Sequence, residues 1–406
     1  MRRNLYVGAT FVAILVALGV ATSVLDRRAA VEAAAVMAPR FEVNPLWPKP
    51  LPNHWILGQT IGVSVDAQDH IWIIHRGGSL EPGEVHATTK PPIAQCCAPA
   101  PPVLEFNEDG DLIGHWGGPG QGYDWPDRNH GITVDYKGNV WIGGNGVGQQ
   151  PNAPRGKASG AAKAAAEEGQ VAGIRGYFND SFVVKFTQSG KFLMQIGKPG
   201  QSKGSNDVEN LRLPAKTFVD KATNEVYVAD GYGNHRVIVY DADTGKYKRH
   251  WGAYGHKPED VDLGPYNPSA PPAQQFRNPV HCVRIARDGM VYVCDRVNDR
   301  FQVFRKDGSF VTEYVLEPTT RWVGSVWDIA LSEDPEQKYL FVADGTNNEI
   351  HILLRKSGQE LGSFGRQGRY AGEFHWVHAI AIDSHGNLFS GEVDTGKRIQ
   401  KFTRQR

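Results

Sequence analysis

The chain has 406 residues, with 44 basic and 44 acidic side chains and a formal net charge of zero. That length allows a large core in one or two domains. The first 40 residues carry five arginines against Asp26 and Glu32, so the rest of the chain carries a net charge of −3. A slightly acidic body without a basic stripe argues against nucleic acid as a partner.

The chain begins with an apolar leader. Residues 5–25 form a run of 21 uncharged residues that follows Arg2 and Arg3. Such a run is a targeting segment rather than part of a fold, and it is long enough to span a bilayer. Small residues at 33–35 also allow cleavage. We therefore expect residues 1–40 to be a signal peptide or an N-terminal membrane anchor. Either way the body is exported, periplasmic or extracellular, and an anchor would give membrane association through residues 5–25.

A strand–turn–strand pattern then recurs six times along the chain. Each copy has an alternating apolar strand, a turn, and a second apolar strand. The first strands are expected at residues 61–66, 130–135, 215–220, 281–286, 327–332 and 378–383. Third strands end at Phe304, Leu353 and Phe402, which are spaced 49 residues apart. Four short strands at this period are typical of a β-propeller blade, so the sequence predicts an all-β, six-bladed propeller over residues 41–406.

The sixth copy has only three strands before the sequence ends at Arg406. A propeller closes its ring to remove exposed strand edges. We therefore expect the segment around residues 41–47 to supply the missing fourth strand. Two stretches, residues 77–102 and 145–176, interrupt the repeats and are predicted to be surface insertions.

The repeats resemble NHL repeats. The resemblance rests on Asn-His-Arg-Val-Ile-Val-Tyr at 234–240 and Asn-Asp-Arg-Phe-Gln-Val-Phe at 298–304. It also rests on the Gly-x-x-Gly links between blades, such as Trp-Gly-Gly-Pro-Gly at 116–120 and Phe-Gly-Arg-Gln-Gly at 364–368.

A histidine opens the second, fourth and sixth copies and none of the others. The first positions in chain order are Ile61, His130, Ala215, His281, Trp327 and His378. First strands line the channel of a propeller, and alternate blades are a third of a turn apart. His130, His281 and His378 should therefore converge on the axis, as three ligands of a catalytic zinc do. The alternative is that each histidine is only a hydrogen-bonded strand residue.

Polar residues also follow the second strands. Arg76, Tyr232 and Arg296 are expected on loops around one channel opening. Two guanidinium groups beside a metal suit a small-molecule or peptide substrate that bears a carboxylate, and a tyrosine there can act as a base. The alternative for each arginine is a tie between blades. The aspartates at the equivalent places should join strands within blades: Asp230, Asp295 and Asp344.

Two cysteines lie on the two strands of the fourth copy. Cys282 and Cys294 are six residues either side of Asp288 in the predicted turn. They could face each other in a disulfide, which suits an exported protein. Two buried thiols remain the alternative.

From about residue 57 to residue 402 the chain resembles the lyase module of peptidylglycine α-amidating enzymes, the peptidyl-α-hydroxyglycine α-amidating lyase. The resemblance rests on His-Gly-Ile-Thr-Val-Asp at 130–135, Asp-Gly-Tyr-Gly-Asn at 230–234 and Cys-Asp-Arg at 294–296. It implies cleavage of an N-acyl or peptidyl α-hydroxyglycine to a primary amide and glyoxylate. It also assigns the roles: zinc on His130, His281 and His378, catalysis by Tyr232, and active-site arginines at Arg76 and Arg296.

The chain departs from that family at the expected calcium site. The aspartate that should follow the third histidine is Ala379, although Val63 and Ile132 could still offer carbonyl groups. Loss of the charged ligand argues against calcium. Two other functions stay open, a metal-dependent, lactonase-like hydrolase and a non-catalytic NHL interaction module.

Overall fold

A computed structural model describes residues 37–147 and 179–405 of the chain. Within these ranges the strands form six four-stranded sheets and one two-stranded sheet. The predicted leader before residue 37 and most of the predicted insertion at 145–176 lie outside the described residues. Among the described residues, no helix is both long and apolar enough to cross a membrane.

Each four-stranded sheet is one antiparallel blade, and the predicted six-bladed propeller is confirmed. Blade 1 contains Gln59–Val65, Ile71–Arg76, Val103–Phe106 and Leu112–Trp116. Blade 2 contains Asn129–Val134, Asn139–Gly144, Phe182–Thr187 and Phe192–Gly197. Blade 3 contains Lys216–Asp220, Glu225–Asp230, Arg236–Asp241 and Tyr247–Trp251.

The second half of the ring repeats this order. Blade 4 contains Val280–Ile285, Val291–Asp295, Arg300–Phe304 and Phe310–Val315. Blade 5 contains Asp328–Leu331, Tyr339–Asp344, Glu349–Leu354 and Glu360–Phe364. Blade 6 contains Val377–Ile382, Leu388–Glu392, Ile399–Arg404 and the N-terminal strand Phe41–Asn44.

The N-terminal strand closes the ring, as predicted. Phe41 lies opposite Arg404 in the antiparallel ladder. The Phe41 ring also packs against blade 5, with its centroid 5.1 Å from that of Phe364. The strand ends at Asn44 because the next residue is a proline, which has no amide proton for the ladder.

The insertion at 77–102 is more organised than a plain loop. It contains the 3-10 helices Gly77–Ser79, Pro82–Glu84 and His86–Thr88, and the strand Ala98–Pro99 pairs in parallel with Trp55–Ile56. The Lys397 ammonium lies 2.5 Å from the Glu84 carboxylate, which ties the insertion to blade 6. The other 3-10 helices of the described residues are Ala253–Gly255 and Arg296–Asn298.

The blades bury their inner strands and support them with side-chain bonds. Trp72 and Trp141 are almost fully buried, and each indole N–H donates at 2.9 Å to the aspartate that directly follows the preceding strand. In blade 4, Cys282 and Cys294 lie opposite each other and form a disulfide. The other two cysteines, Cys96 and Cys97, are joined to each other.

Candidate metal centre

β-Bulges in the first strands shape the channel end of the blades. In blades 4 and 6 the pairing register skips one residue, and the skipped residues are His281 and His378. In blade 2 the skip falls on Gly131, directly after His130, and Gly131 has a φ of +64°. A bulge bends its strand and changes the direction of the local side chains. The bulges therefore account for histidines that leave the sheets near the axis.

The structure brings the three predicted histidines together. One ligand nitrogen from each of His130, His281 and His378 lies within 4.8 Å of the other two. Their ring centroids are 4.7–5.2 Å apart. All three side chains are buried. One ion can therefore be reached by all three imidazoles.

Carbonyl groups from the neighbouring blades orient two of these rings. His130 Nδ1 donates to the Ala215 carbonyl at 2.7 Å, and His281 Nδ1 donates to the Trp327 carbonyl. A carbonyl only accepts, so the proton of each neutral ring is on Nδ1 and Nε2 presents a lone pair. This arrangement is common among metal-binding histidines. His378 Nδ1 has no hydrogen-bond partner within the described residues.

The three imidazoles are held in the neutral state. Burial lowers the pKa of each ring well below its usual range. Nearby positive charge lowers the pKa further, from Arg76 at all three rings and from Arg296 at His281 and His378. Neutral imidazole is the form that binds a metal.

The Tyr232 hydroxyl stands beside the histidines. It lies 3.0 Å from His130 Nε2 and 2.9 Å from His281 Nε2. A phenol has one proton, so it can donate to only one of these two lone pairs. The other nitrogen then faces an oxygen lone pair, a repulsion that a cation between them would remove. The donor set therefore fits a metal ion, and its chemistry of neutral nitrogens suits zinc.

The two predicted arginines make different contacts. Arg296 Nη1 donates to the Tyr232 hydroxyl at 3.4 Å, and its guanidinium lies 4.4 Å from the Trp327 ring centroid. Arg76 Nη2 donates to Asn145 Oδ1 at 2.8 Å and Nε to the Asn129 carbonyl at 3.0 Å. Arg76 thus joins blades 1 and 2 while its charge acts on the histidines.

A small cavity opens onto this cluster. Its lining includes the predicted residues Arg76, Tyr232 and His378. It also includes residues that the sequence did not single out, among them Gln59, Arg128, Trp376 and Asp394. One sequence signal could have found two of these, because Arg128 and Trp376 each lie two positions before a first-strand histidine.

A buried ion pair lies one residue further along the first strands. The Lys216 ammonium bonds the Asp328 carboxylate, and both side chains are at most 5% exposed. Asp328 also accepts the Ile380 N–H at 2.9 Å, which reaches blade 6. Burial and the nearby Arg284 lower the pKa of Lys216 to about 8, although Asp328 opposes this. The repeat pattern does not predict this pair.

The predicted roles of Asp230 and Asp295 agree with their contacts. Asp230 accepts from Arg236 Nε at 2.9 Å, and Asp295 accepts from Arg300 Nε at 2.7 Å. These bonds join the second and third strands of blades 3 and 4. The aspartates are therefore part of the blade framework and lie outside the metal centre.

Fold and repeats together define a six-bladed β-propeller whose repeats resemble NHL repeats. The chain is 25% identical over 380 residues to NHL repeat-containing protein 3 of Mus musculus, a match that covers 90% of this chain and 84% of that protein. It is also 26% identical over 216 residues to peptidyl-glycine alpha-amidating monooxygenase B of Xenopus laevis, covering 52% of this chain but 22% of that protein. The resemblance to NHL-repeat proteins and to amidating enzymes is therefore confirmed.

Two further comparisons add no functional argument. No model of a known protein family matches the chain. A solved streptogramin B lyase structure aligns over 91% of this chain and 98% of its own, with 12% sequence identity and a TM-score of 0.47. A likeness of that size carries no inference about chemistry.

Proposed function

We propose that the protein is a zinc-dependent lyase that cleaves the C–N bond of an N-acyl or peptidyl α-hydroxyglycine, giving a primary amide and glyoxylate. The observation that carries the proposal is the Tyr232 hydroxyl, held within 3.0 Å of two imidazole nitrogens and 3.4 Å from Arg296. The likeness to amidating monooxygenases supports the reaction class, over the matched part of those proteins.

The metal ligands in this proposal are His130, His281 and His378, whose nitrogens are close enough to share one ion. Three histidines leave a coordination position for substrate, as in other catalytic zinc sites. Bound zinc would act as a Lewis acid towards a substrate oxygen. The Ala215 and Trp327 carbonyls keep two of the rings in the ligating tautomer.

The side chains around the ligands bind and convert the substrate. Arg296, with the charge of Arg76 behind it, holds the carboxylate and stabilises charge that develops beside it. Tyr232, as the phenolate that bound zinc and the Arg296 guanidinium would stabilise, removes the proton of the substrate hydroxyl as the C–N bond breaks. The hydroxyl carbon becomes the aldehyde carbon of glyoxylate, and the nitrogen gains a proton and leaves as the amide. The reaction moves one proton from oxygen to nitrogen and needs no co-reactant.

The test replaces the proposed base. Tyr232→Phe should lower turnover of an N-acyl-α-hydroxyglycine by about 10³-fold, in the range for loss of a general base, and should leave the zinc content unchanged. Tyr136→Phe is the control, because Tyr136 lies beyond the last residue of the strand Asn129–Val134, which carries His130 near its opposite end. Wild-type turnover by Tyr232→Phe would remove Tyr232 from the base role.

We further propose that the body acts outside the cytoplasm, delivered by residues 1–40. The disulfide between Cys282 and Cys294 supports this, since such bonds persist in oxidising compartments. Fractionation of cells that express the full chain, followed by thiol labelling without reductant, tests it. Recovery in the cytosol with both thiols free would contradict it.

A further inference from the structure

Three tryptophans form a line from the protein surface to the metal centre. The Trp322 and Trp376 ring centroids are 5.4 Å apart, and those of Trp376 and Trp327 are 5.5 Å apart. Trp327 is fully buried and lies against the Arg296 guanidinium at 4.4 Å. Trp376 lines the cavity beside His378, and Trp322 is 48% exposed. The ring contacts therefore run from the exposed Trp322, through Trp376 in the cavity wall, to the buried Trp327.

The backbone at Trp322 and Trp376 adopts an uncommon conformation. Trp322 has a φ of +70° and Trp376 a φ of +53°, in the left-handed region that bulky L-residues rarely adopt. The Trp376 N–H donates to Asn348 Oδ1 at 2.7 Å, and its carbonyl accepts the Val393 N–H at 3.1 Å. Backbone strain that the surroundings maintain is concentrated at ligand sites. Core packing does not account for Trp322, because nearly half of its surface faces water.

We propose that Trp322 and Trp376 form an aromatic platform for the acyl group of the substrate, and that the preferred substrates carry an aromatic acyl group. This inference rests on the proposed lyase function and narrows its substrate class. With the carboxylate at Arg296 and the hydroxyl at Tyr232, the acyl group extends past Trp376 towards Trp322. An indole face favours an aromatic group through stacking and apolar burial. An acetyl group has no aromatic ring to stack on this platform.

The first experiment compares two substrates that differ only in the acyl group, N-benzoyl-α-hydroxyglycine and N-acetyl-α-hydroxyglycine. For the wild type we expect kcat/KM to be about tenfold higher with the benzoyl compound, as one favourable aromatic contact would give. Trp322→Asn should remove most of this preference by raising KM for the benzoyl compound alone, since asparagine tolerates a positive φ. Trp322→Phe should retain most of it.

Tyr136→Ala is the matched control. This exposed aromatic residue belongs to the turn after the first strand of blade 2, and its hydroxyl donates to Asn224 of blade 3. Its substrate preference should equal that of the wild type. Equal kcat/KM for the two compounds, or a Trp322→Asn change shared by both, would overturn the platform and leave the lyase function standing.

A second experiment separates the platform from the chemistry. Benzoylglycine and acetylglycine lack the hydroxyl group and cannot react, so calorimetry reports their binding alone. Suppose that the wild type converts neither hydroxyglycine, while the Trp322→Asn variant binds benzoylglycine about tenfold more weakly than the wild type does. In that case the platform stands and the lyase function fails. If benzoylglycine does not bind, or binds no better than acetylglycine, the platform is wrong.

Discussion

Blades 2, 4 and 6 differ from blades 1, 3 and 5 in what their first strands bring to the channel. The even blades supply the imidazoles of His130, His281 and His378. Blades 3 and 5 supply the carbonyls that orient two of these rings, followed directly by the Lys216–Asp328 ion pair. The candidate ligands thus come from the even-numbered blades, and the carbonyls that orient two of them come from odd-numbered blades. Groups that bond metal ligands in this way fix the tautomer and orientation of the ring, and their loss typically weakens metal binding by about 10–100-fold.

The largest expected effect comes from breaking the odd-blade ion pair. Lys216→Met leaves the Asp328 carboxylate buried and uncompensated, and should lower the free energy of unfolding by about 3–5 kcal/mol. Lys216→Met combined with Asp328→Asn should recover most of that loss, because the uncompensated charge is gone and the amide oxygen can still accept the Ile380 N–H. Urea denaturation measures both. Equal losses in the single and double variants would show that the pair is not a unit.

A smaller effect should follow from moving one supporting carbonyl. A Cβ added at Gly131 would collide with the Ala215 carbonyl oxygen, the group that orients His130. Gly131→Ala should therefore weaken zinc binding by about 10–100-fold, measured by competition with a chelator. Gly138→Ala is the control in the same blade, since its φ is also positive at +79° but the nearest atom is 3.5 Å away. Similar zinc affinities in the two variants would contradict the supporting role.

The smallest effect concerns a histidine outside the channel, His351 in blade 5. Burial alone would lower its pKa, but the Asp344 and Glu360 carboxylates raise the pKa to about 9. A raised pKa means that this stabilisation is complete below about pH 6.5 and is lost as the pH rises through about 9. We expect the wild type to lose about 2 kcal/mol over that window, a value reduced because Glu360 is partly exposed.

His351→Gln removes the titrating group and should show a flatter stability profile between pH 6.5 and 9.5. An unchanged profile would assign the pH dependence to other groups. The raised pKa of His351 differs from the pKa values of the channel histidines, which burial without a facing carboxylate lowers. The same side chain thus takes opposite charge states in the two places.

The repeats were predictable from local strand and turn patterns. The histidine alternation was predictable because the repeats place equivalent positions at the same depth in the ring. Ring closure followed from the need to cover a strand edge, and Phe41 does pair with blade 6. The predicted first strands of blades 3 and 5 began one residue early, since Ala215 and Trp327 precede the ladders. Strand propensity does not resolve a single terminal residue.

The support of the site was not predictable, because it depends on contacts between distant blades. Lys216 and Asp328 are 112 residues apart, and neither belongs to a repeating pattern. The carbonyls that orient His130 and His281 belong to residues of no distinctive type. Trp376 lies outside the strands, where strand periodicity gives no information. Each of these contacts depends on which residues the folded ring brings together, and the repeat pattern does not give that information.

The clearest test of a shared three-histidine site is the metal content of the purified full-length protein, with wild type measured beside His281→Ala. His250→Ala is the control, because His250 lies in the fourth strand of blade 3 and bonds Tyr247. We expect one zinc per chain in the wild type and in His250→Ala, and its loss from His281→Ala. Wild-type protein that takes up no zinc, or equal zinc in His281→Ala, would contradict a shared three-histidine site.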